Sequence, residues 1–397
     1  MEAAYQVFGG LDEPTGAEED WRYVDFDHSF SDLVLAMTPG KELEPGPFVA
    51  SLPERSGRIL ILDGQVVEHH CEQAEVRRFS DLDEDPGFTG MVPTDHNKLA
   101  AAHAAFSTDG VRVEVRPNTV MDRPLVVEIQ ATSEGTASFP HLQVVVGENA
   151  EASVLVDYRS ADGARLLVVP RIDLDVGDSG RLRFLSVQGL DHAASNVVHQ
   201  RAVLGRDSTS RIGEVGLGAK LGRLDLGVSL VGDGSSSEVV GLYFGEGDQT
   251  LDYRMVIDHQ GRNTTSDVFL KGAVEDDAQS VFTGLLRIEK DAARTSTFET
   301  NRNLVLSENA KAHSVPNLEI LCNDVICGHA SSVGPLESEH LYYLMSRGLT
   351  RVRAERLLIR GFFQQVIDRL PIEGLGEPVS DEVFRRFVTA QEEGRVA

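Results

Sequence analysis

Hydrophobic and polar residues alternate in a series of short runs between Val111 and Glu308. The clearest runs are VRVEV, LVVEI, LQVVV, ASVLVDY, RLRFLSV, LDYRMVIDH, LLRIEK and LVLSE. Alternation with a period of two predicts strands that bury one face. Helical spacing is nearly absent over the same span, so the central part of the chain is predicted to consist of β-strands.

A small turn recurs between these runs, in which Asp or Asn is followed by Ala, Ser or Gly. Its copies start at Asn149, Asp178, Asp207, Asp233, Asp277, Asp291 and Asn309. The first three are 29 residues apart and the fourth follows after 26. Asp and Asn suit tight corners because their side chains bond nearby backbone and tolerate the left-handed region. Regular repetition of strands and corners predicts a β-solenoid. A Greek-key sandwich also has many short strands and is the alternative.

The residues before the solenoid have a mixed character. Alternation on both sides of Asp63-Gly64 predicts a short β-hairpin, and the alanine-rich stretch from His96 to Phe106 predicts a helix. The sequence therefore divides into a short N-terminal α/β region (1–106), a β-helix core (107–335) and a C-terminal helical domain (336–397).

Helical signals return after Pro335. Ser338 is a suitable N-cap and Gly348 a suitable C′ residue for a first helix. A second helix is predicted from apolar residues at steps of four and ends at Pro371; its apolar stripe comprises Leu358, Phe362, Val366 and Leu370. A last helix is predicted from Ser380 to about Glu393.

The chain is strongly acidic, with a formal charge of −26. Nucleic acids and anionic membrane surfaces need a basic face, so neither is an expected partner. The segment from Leu336 to Leu370 differs, because six Arg and four acidic residues give it a net charge of +2. This segment is either a set of solvated helix faces or a docking surface for a partner protein, since Arg and aromatic residues are enriched at interfaces.

Targeting and cofactor motifs are absent from the sequence. The start, MEAAYQVFGG, lacks the features of a secretion signal, and no apolar run is long enough to span a bilayer. Three cysteines are too few for a disulfide framework and predict reduced thiols in a cytoplasmic protein. There is no P-loop, no H-E-x-x-H and no G-x-S-x-G. A protein without a nucleotide motif has to borrow any ATP-driven step from a partner.

The segment CNDVICGHASSVG carries the candidate chemistry. On a strand, Cys327 and His329 share one face, whereas Cys322 is predicted to point to the other. A zinc site would need further ligands from EHHC, residues 68–71. A Cys–His catalytic pair is disfavoured because residues two apart lie about 6–7 Å from each other. That spacing suits a multinuclear centre, or one shared with a second protein, and iron accepts both thiolate and imidazole. An ordinary buried Cys with a satisfied His is the structural alternative.

The residues from Pro316 to Phe363 closely resemble the C-terminal signature of the SufB/SufD family of iron–sulfur cluster assembly proteins. EEDWRYVDF, from Glu18, and the stretch around LGAKLGRLDLG resemble other parts of the same family. Within the family, DVICGHASSVGPL resembles the SufD pattern Cys-x-His, whereas SufB-like chains tend to have Ser-His-Glu there. SufD chains usually carry a longer helical region before the Trp-Arg-Tyr segment than is found here.

The resemblance implies a scaffold subunit and not a stand-alone enzyme. Its expected fold is a right-handed parallel β-helix with helices at the ends. SufD pairs with SufB, and each binds one copy of the ATPase SufC through C-terminal helices. By position, Cys327 and His329 fall at the SufB interface, where they are the expected ligands of a transient iron–sulfur cluster. The residues expected to bind the ATPase are Leu341, Tyr342, Leu344, Arg347, Arg356, Leu358, Phe362 and Phe363.

The resemblance implies no cofactor held stably by the isolated chain, and it leaves open a flavin in the complex and a homodimer of the chain alone. Two other functions stay as alternatives. One is a SufB-like subunit that holds the nascent cluster through its own ligands. The other is a β-helix enzyme acting on a polysaccharide through paired carboxylates, but a single Trp is few for sugar stacking.

Overall fold

A computed structural model of the protein describes residues 2–52, 54–82 and 91–392. The helices are α1 (Glu2–Gly10), α2 (Pro47–Ala50), α3 (Lys98–Phe106), α4 (Ser338–Ser346), α5 (Arg351–Ile367) and α6 (Gly376–Glu392). The strands of the first half are β1 (Val34–Leu35), β2 (Gly57–Leu62), β3 (Gln65–Cys71), β4 (Glu75–Arg78), β5 (Val111–Val115), β6 (Leu125–Ala131), β7 (Thr136–Ser138), β8 (His141–Val146), β9 (Glu151–Ser160), β10 (Leu167–Val168) and β11 (Arg171–Val176). The remaining strands are β12 (Arg181–Gln188), β13 (Ser195–Leu204), β14 (Thr209–Gly216), β15 (Leu221–Leu230), β16 (Ser236–Gly245), β17 (Thr250–His259), β18 (Thr265–Val274), β19 (Gln279–Ile288), β20 (Thr295–Val305), β21 (Lys311–Ile320) and β22 (Val325–Gly334).

The strands form a parallel β-solenoid of about eight turns. One sheet has the order β21-β19-β17-β15-β13-β11-β8-β5-β4, and the other has the order β22-β20-β18-β16-β14-β12-β9-β6-β2-β3. Each turn of the chain therefore adds one strand to each sheet, and strands of successive turns pair in parallel register. The prediction of a solenoid is confirmed, and the sandwich alternative is wrong.

The predicted corner turns form a hydrogen-bonded ladder along one edge of the solenoid. Asn149, Ser179, Asp207 and Gly234 all have positive φ, and the backbone N–H of each donates to a carbonyl of the next turn. The residue after the corner is small because it points into the narrow interior, as Ala150 and Ser208 do at 0% exposure. The later corners differ from prediction, because the left-handed residues are Asn263, Asp276 and Arg294, whereas Asp277, Asp291 and Asn309 do not have positive φ.

The N-terminal end of the solenoid is closed by two short reversed strands. The hairpin predicted at Asp63-Gly64 is present, and both residues have the positive φ of a type I′ turn. It pairs β2 with β3 antiparallel, while β2 itself joins β6 in parallel. On the other sheet, β4 pairs antiparallel with β5. Residues 57–78 thus belong to the sheets of the solenoid.

The outer face of each sheet is covered by a terminal segment. Trp21, Phe26 and Leu99 pack against the sheet that contains β13, β15 and β19. Helix α3 begins at Lys98, with the Asn97 side chain as its cap. Helices α5 and α6 cover the other sheet, where Ile359, Phe363 and others contact residues such as Leu242. No helix in the described ranges is both long and apolar enough to cross a membrane.

The C-terminal helices agree with the predicted limits except at their caps. Glu337, and not Ser338, is the N-cap of α4, and Gly348 has the left-handed φ of +91° expected of a C′ residue. Thr350 caps α5 by accepting a hydrogen bond from the Arg353 backbone N–H. The predicted start of the last helix lies four residues inside α6, and its predicted end at Glu393 lies outside the described residues.

The buried carboxyl group of Glu214 makes the stability of the solenoid depend on pH. It accepts hydrogen bonds from the Ser186 hydroxyl (2.6 Å) and the Gln200 amide (2.8 Å), and burial raises its pKa from 4.5 to about 7. The folded state therefore holds this proton more tightly, and the resulting stabilisation, about 3 kcal/mol, is lost as pH rises through 7.

We expect the Glu214→Gln variant to lose less stability than the wild type between about pH 5 and 9, because a neutral amide has no proton to release. Thermal unfolding of both proteins across this range measures the difference. Parallel curves for the two would contradict the prediction.

Candidate functional site

Cys327 and His329 lie on the last strand of the solenoid. Strand β22 pairs with β20, so that Cys327 is in register with Thr297 and His329 with Glu299. Thr297 and Glu299 are buried in the interior of the solenoid, and residues in register project to the same side of a sheet. Cys327 and His329 therefore face the interior of a turn that no further turn covers within the described residues, and Cys327 is half-buried while His329 is exposed.

Cys322 lies outside the strand, in the loop of residues 321–324 that joins β21 to β22. The prediction that it points to the opposite face of the same strand is therefore wrong, because strand alternation does not extend to it. All three cysteines are free. The third, Cys71, ends β3 and lies 3.6 Å from the Ser56 hydroxyl at the other end of the solenoid.

The zinc alternative fails on distance. The segment EHHC lies in β3, and β3 and β22 are the first and last strands of the ten-stranded sheet. At about 4.8 Å per strand, on the order of 40 Å separates them. Across the described residues, no group of three or more His, Cys, Asp or Glu side chains is arranged to hold a metal ion. Within the described residues, Cys327 and His329 are thus not part of any such group.

The end of the solenoid that carries these residues is apolar and exposed. We call β21, β22 and the loop between them the open end. Its exposed apolar side chains are Val315, Leu318, Ile320, Leu321, Ile326 and Val333, of which Ile326 is 65% exposed. Both strands are ten residues long, and in the described part of the chain no further strand pairs with either outer edge. A long apolar strand edge of this kind is a typical site for pairing with another chain.

The interior beneath the open end is polar, which sequence reasoning did not predict. Tyr243 donates a hydrogen bond to the Asn303 side chain (2.5 Å), and Asn303 donates to Asn301 (2.6 Å). The Ser314 hydroxyl also donates to Asn301 (3.0 Å), and Ser331 donates to Ser314 (2.7 Å). A chain of hydrogen bonds thus leads from the core to β22. The signal in the sequence was the run TFETNRN, whose polar residues alternate inward once the register is known.

The residues expected to bind a partner ATPase are divided between surface and core. On α4, Tyr342 is 75% exposed and Arg347, just after the helix, is exposed, while Leu341 and Leu344 are half-buried. On α5, Arg356, Leu358 and Phe362 are half-buried. Phe363 is 1% exposed and packs in the cluster beneath the helices. The expectation that Phe363 contacts a partner is therefore wrong, because its side chain supports the helix from below.

A groove of about 420 Å³ separates these helices from the last strands. It is lined by Arg302, Leu304, Pro335, His340, Leu358 and Phe362, among others. The exposed aromatic residues of α4 follow His340, one of the groove residues, in the sequence. The guanidinium carbon of Arg347 lies 5.2 Å from the centre of the Tyr343 ring. We call the exposed residues Tyr342, Tyr343, Met345 and Arg347 the helical face.

The helices are attached to the solenoid by one buried and one half-buried cationic contact. The Lys271 ammonium on β18 donates to the Phe362 carbonyl (2.7 Å) and the Gln365 side chain (2.8 Å). Burial lowers the pKa of Lys271 to about 8. Arg369 pairs with Glu238 at 2.8 Å and with Asp267. Arg369 is one of the six Arg residues between Leu336 and Leu370. It therefore joins the helices to the strands and is not part of a docking surface.

The family of the chain follows from comparison with known proteins. Residues 129–362 match the family model described as SUF system FeS cluster assembly, SufBD core domain. The match starts in β6 and ends in α5, so it includes the open end and the helical face. The chain belongs to the SufBD family. The resemblance drawn from the segment Pro316–Phe363 is thereby confirmed.

Several SufBD relatives are similar over most of their length. An iron–sulfur cluster assembly SufBD family protein of Mycobacterium tuberculosis is 35% identical over 72% of this chain and 73% of its own. The iron–sulfur cluster assembly protein SufD of Bacillus subtilis is 32% identical over 78% of this chain and 71% of its own. The iron–sulfur cluster assembly protein SufD of Escherichia coli is 24% identical over 94% of this chain and 89% of its own. Two of the three carry the name SufD, as the Cys-x-His pattern predicted.

Proposed function

We propose that this chain is a SufD-like scaffold subunit for iron–sulfur cluster assembly in the cytoplasm, with no catalytic site of its own. The observation that carries the proposal is the open end. Two side chains of types that bind iron lie there inside an uncovered turn, and they are too few to form a metal site by themselves. Cys327 and His329 offer sulfur and nitrogen to iron, and the apolar edges of β21 and β22 surround them. A site of this kind requires a second protein to complete it.

The partner proposed for the open end is a SufB-like paralogue. A second solenoid with a similar uncovered end would bury apolar residues such as Ile326 and Leu321, and it would bring further ligands to the cluster. The cluster is cargo built between the two chains, and this chain alone holds no cofactor stably. A flavin in the complex and a homodimer of the isolated chain stay as lesser proposals.

The partner proposed for the helical face is a SufC-type ATPase. Aromatic and Arg side chains are enriched in the centres of protein interfaces, and Tyr342, Tyr343 and Arg347 are exposed together on one short helix. Because Lys271 and Arg369 fix α5 to the sheet, a force applied to the helices would be passed to the strands that lead to the open end.

Capture of the two partners by paired variants tests this assignment. We expect Tyr342→Ala with Arg347→Ala to lose the SufC-type ATPase and keep the SufB-like paralogue, because the changes lie only on the helical face. The variant Leu321→Asp with Ile326→Asp should lose the SufB-like paralogue and keep the SufC-type ATPase, because the two changes place charge in the apolar open end. Tyr5→Ala is the control and should keep both, because Tyr5 is also exposed, at 61%, but lies on α1. Loss of neither partner, or of the same partner in both variants, would contradict the proposal.

The intact chain is needed for this experiment. Truncation before Pro335 would remove α5 and α6 and expose the apolar face that they cover, including Leu185, Val215 and Leu242. Exposure of a contiguous apolar face of this kind causes aggregation, so loss of a partner by the truncated chain would say nothing about docking.

A further inference from the structure

Glu299 is buried without a partner beneath the open end. It lies on β20, faces the solenoid interior and is 2% exposed. Neither of its carboxylate oxygens has a hydrogen-bond partner in the described part of the chain. A buried carboxylate without partners is costly, because desolvation is not offset by hydrogen bonds. Burial accordingly raises the pKa of Glu299 to about 7.

The fold makes room for this carboxylate. Gly284 lies across the interior on β19, and a Cβ atom at that position would clash with a Glu299 oxygen and lie 2.5 Å from its carboxyl carbon. Any other residue at 284 would displace the side chain. A neutral apolar residue at 299 would have packed at lower cost, so the structure retains an acid where stability disfavours it.

The position of Glu299 relative to the proposed iron-binding residues suggests a use for it. It is in register with His329 across the β20–β22 pair, and paired strands lie about 4.8 Å apart. Glu299 and His329 thus occupy neighbouring positions on the inner wall of the last two turns, with Cys327 two residues from His329. Carboxylate with imidazole is a donor set that Fe(II) accepts with open positions remaining.

We propose that Glu299 is a further metal-binding residue, which with His329 holds a divalent iron ion at the inner side of the open end. The inference rests on the proposed function for the choice of iron as cargo. Two donors leave the other coordination positions of the ion to water or to donors of another chain, because no third His, Cys, Asp or Glu is gathered with them among the described residues. Cargo held by few ligands can be passed on to a growing cluster.

Cobalt(II) binding to the isolated full-length chain tests the proposal without any assembly partner. Under anaerobic conditions, the visible d–d absorption of cobalt reports the donor set, and titration gives the dissociation constant. We expect one ion per wild-type chain. Because even an outer-shell partner of a metal typically contributes about 10- to 100-fold to affinity, Glu299→Gln and His329→Ala are each expected to weaken binding at least tenfold. Iron(II) uptake by equilibrium dialysis is expected to follow the same order.

Glu214→Gln is the matched control. Glu214 is also a buried solenoid carboxyl whose pKa is raised to about 7, but it lies on β14 and already has hydrogen-bond partners. Its variant should bind cobalt like the wild type. Unchanged binding by Glu299→Gln, or no binding by the wild type, would overturn the proposal. Either result would leave partner capture untouched, so a failure here is distinct from a failure of the proposed scaffold function.

Discussion

Replacing His329 by alanine is expected to reduce cluster formation on the assembled complex strongly while the complex itself stays intact. His329 is exposed on β22 and faces the uncovered interior of the last turn, so its removal takes away the nitrogen that we propose binds iron without opening a cavity. Anaerobic reconstitution with iron and a sulfur source, followed by the visible absorbance of the cluster, measures the effect. We expect the amount of cluster formed to fall about tenfold or more, because even an outer-shell partner of a metal contributes about tenfold and a direct ligand should contribute at least as much.

The control for this experiment is His69→Ala. His69 is an exposed histidine on β3, at the opposite end of the ten-stranded sheet from β22. Its variant should form clusters at the wild-type rate, and both variants should keep the wild-type melting temperature and both partners. Normal cluster formation by His329→Ala would remove the role proposed for this residue and leave the scaffold assignment standing.

The largest loss of stability is expected from Phe363→Ala. The ring is 1% exposed, lies 5.1 Å from the Phe362 ring and belongs to the apolar cluster between α5, α6 and the ten-stranded sheet. Truncation of a buried Phe removes transfer free energy and leaves a cavity, and together these cost about 3–5 kcal/mol. Denaturant unfolding monitored by tryptophan fluorescence and circular dichroism measures the change.

Leu357→Ala on the same helix is the matched control. Its side chain is 50% exposed, so truncation should cost well under 1 kcal/mol, the range of ordinary surface substitutions. A similar loss in both variants would mean that the helix as a whole, and not burial of Phe363, determines the effect. ATPase capture by Phe363→Ala should weaken only to the extent that α5 unfolds.

The solenoid could be predicted because its signals are local and repeat. Each corner needs a residue that tolerates positive φ followed by a small one, as at Asn149-Ala150 and Asp207-Ser208, and the strands between them alternate with period two. The repetition identifies the class of fold without giving the register of individual strands. The errors concern individual corners, such as the turn predicted at Asp291, where the left-handed residue is Arg294, and helix ends, such as the cap at Glu337.

The site could be predicted only in part, because its other components depend on register over long distances. Cys327 and His329 were recognisable from a short motif, but nothing near Glu299 in sequence indicates that it would lie beside His329 and across from Gly284. The position of Cys322 depended on where β21 ends. Apolar residues spaced four apart identified one face of α5. The spacing could not decide whether Phe362 or Phe363 faces the sheet, because both are apolar and adjacent in sequence.

The two ends of the solenoid are unequal, and this limits how many chains can associate. At the first end, β3 and β4 are short, run antiparallel to their neighbours and carry charged residues such as Glu68 and Arg77, all features that discourage strand addition. Only the other end offers long apolar strands. A solenoid with two such ends would join head to tail into fibres. A solenoid with one such end is expected to accept a single mate there, so pairing through solenoid ends would stop at two chains, and a site formed at their junction would occur once per pair.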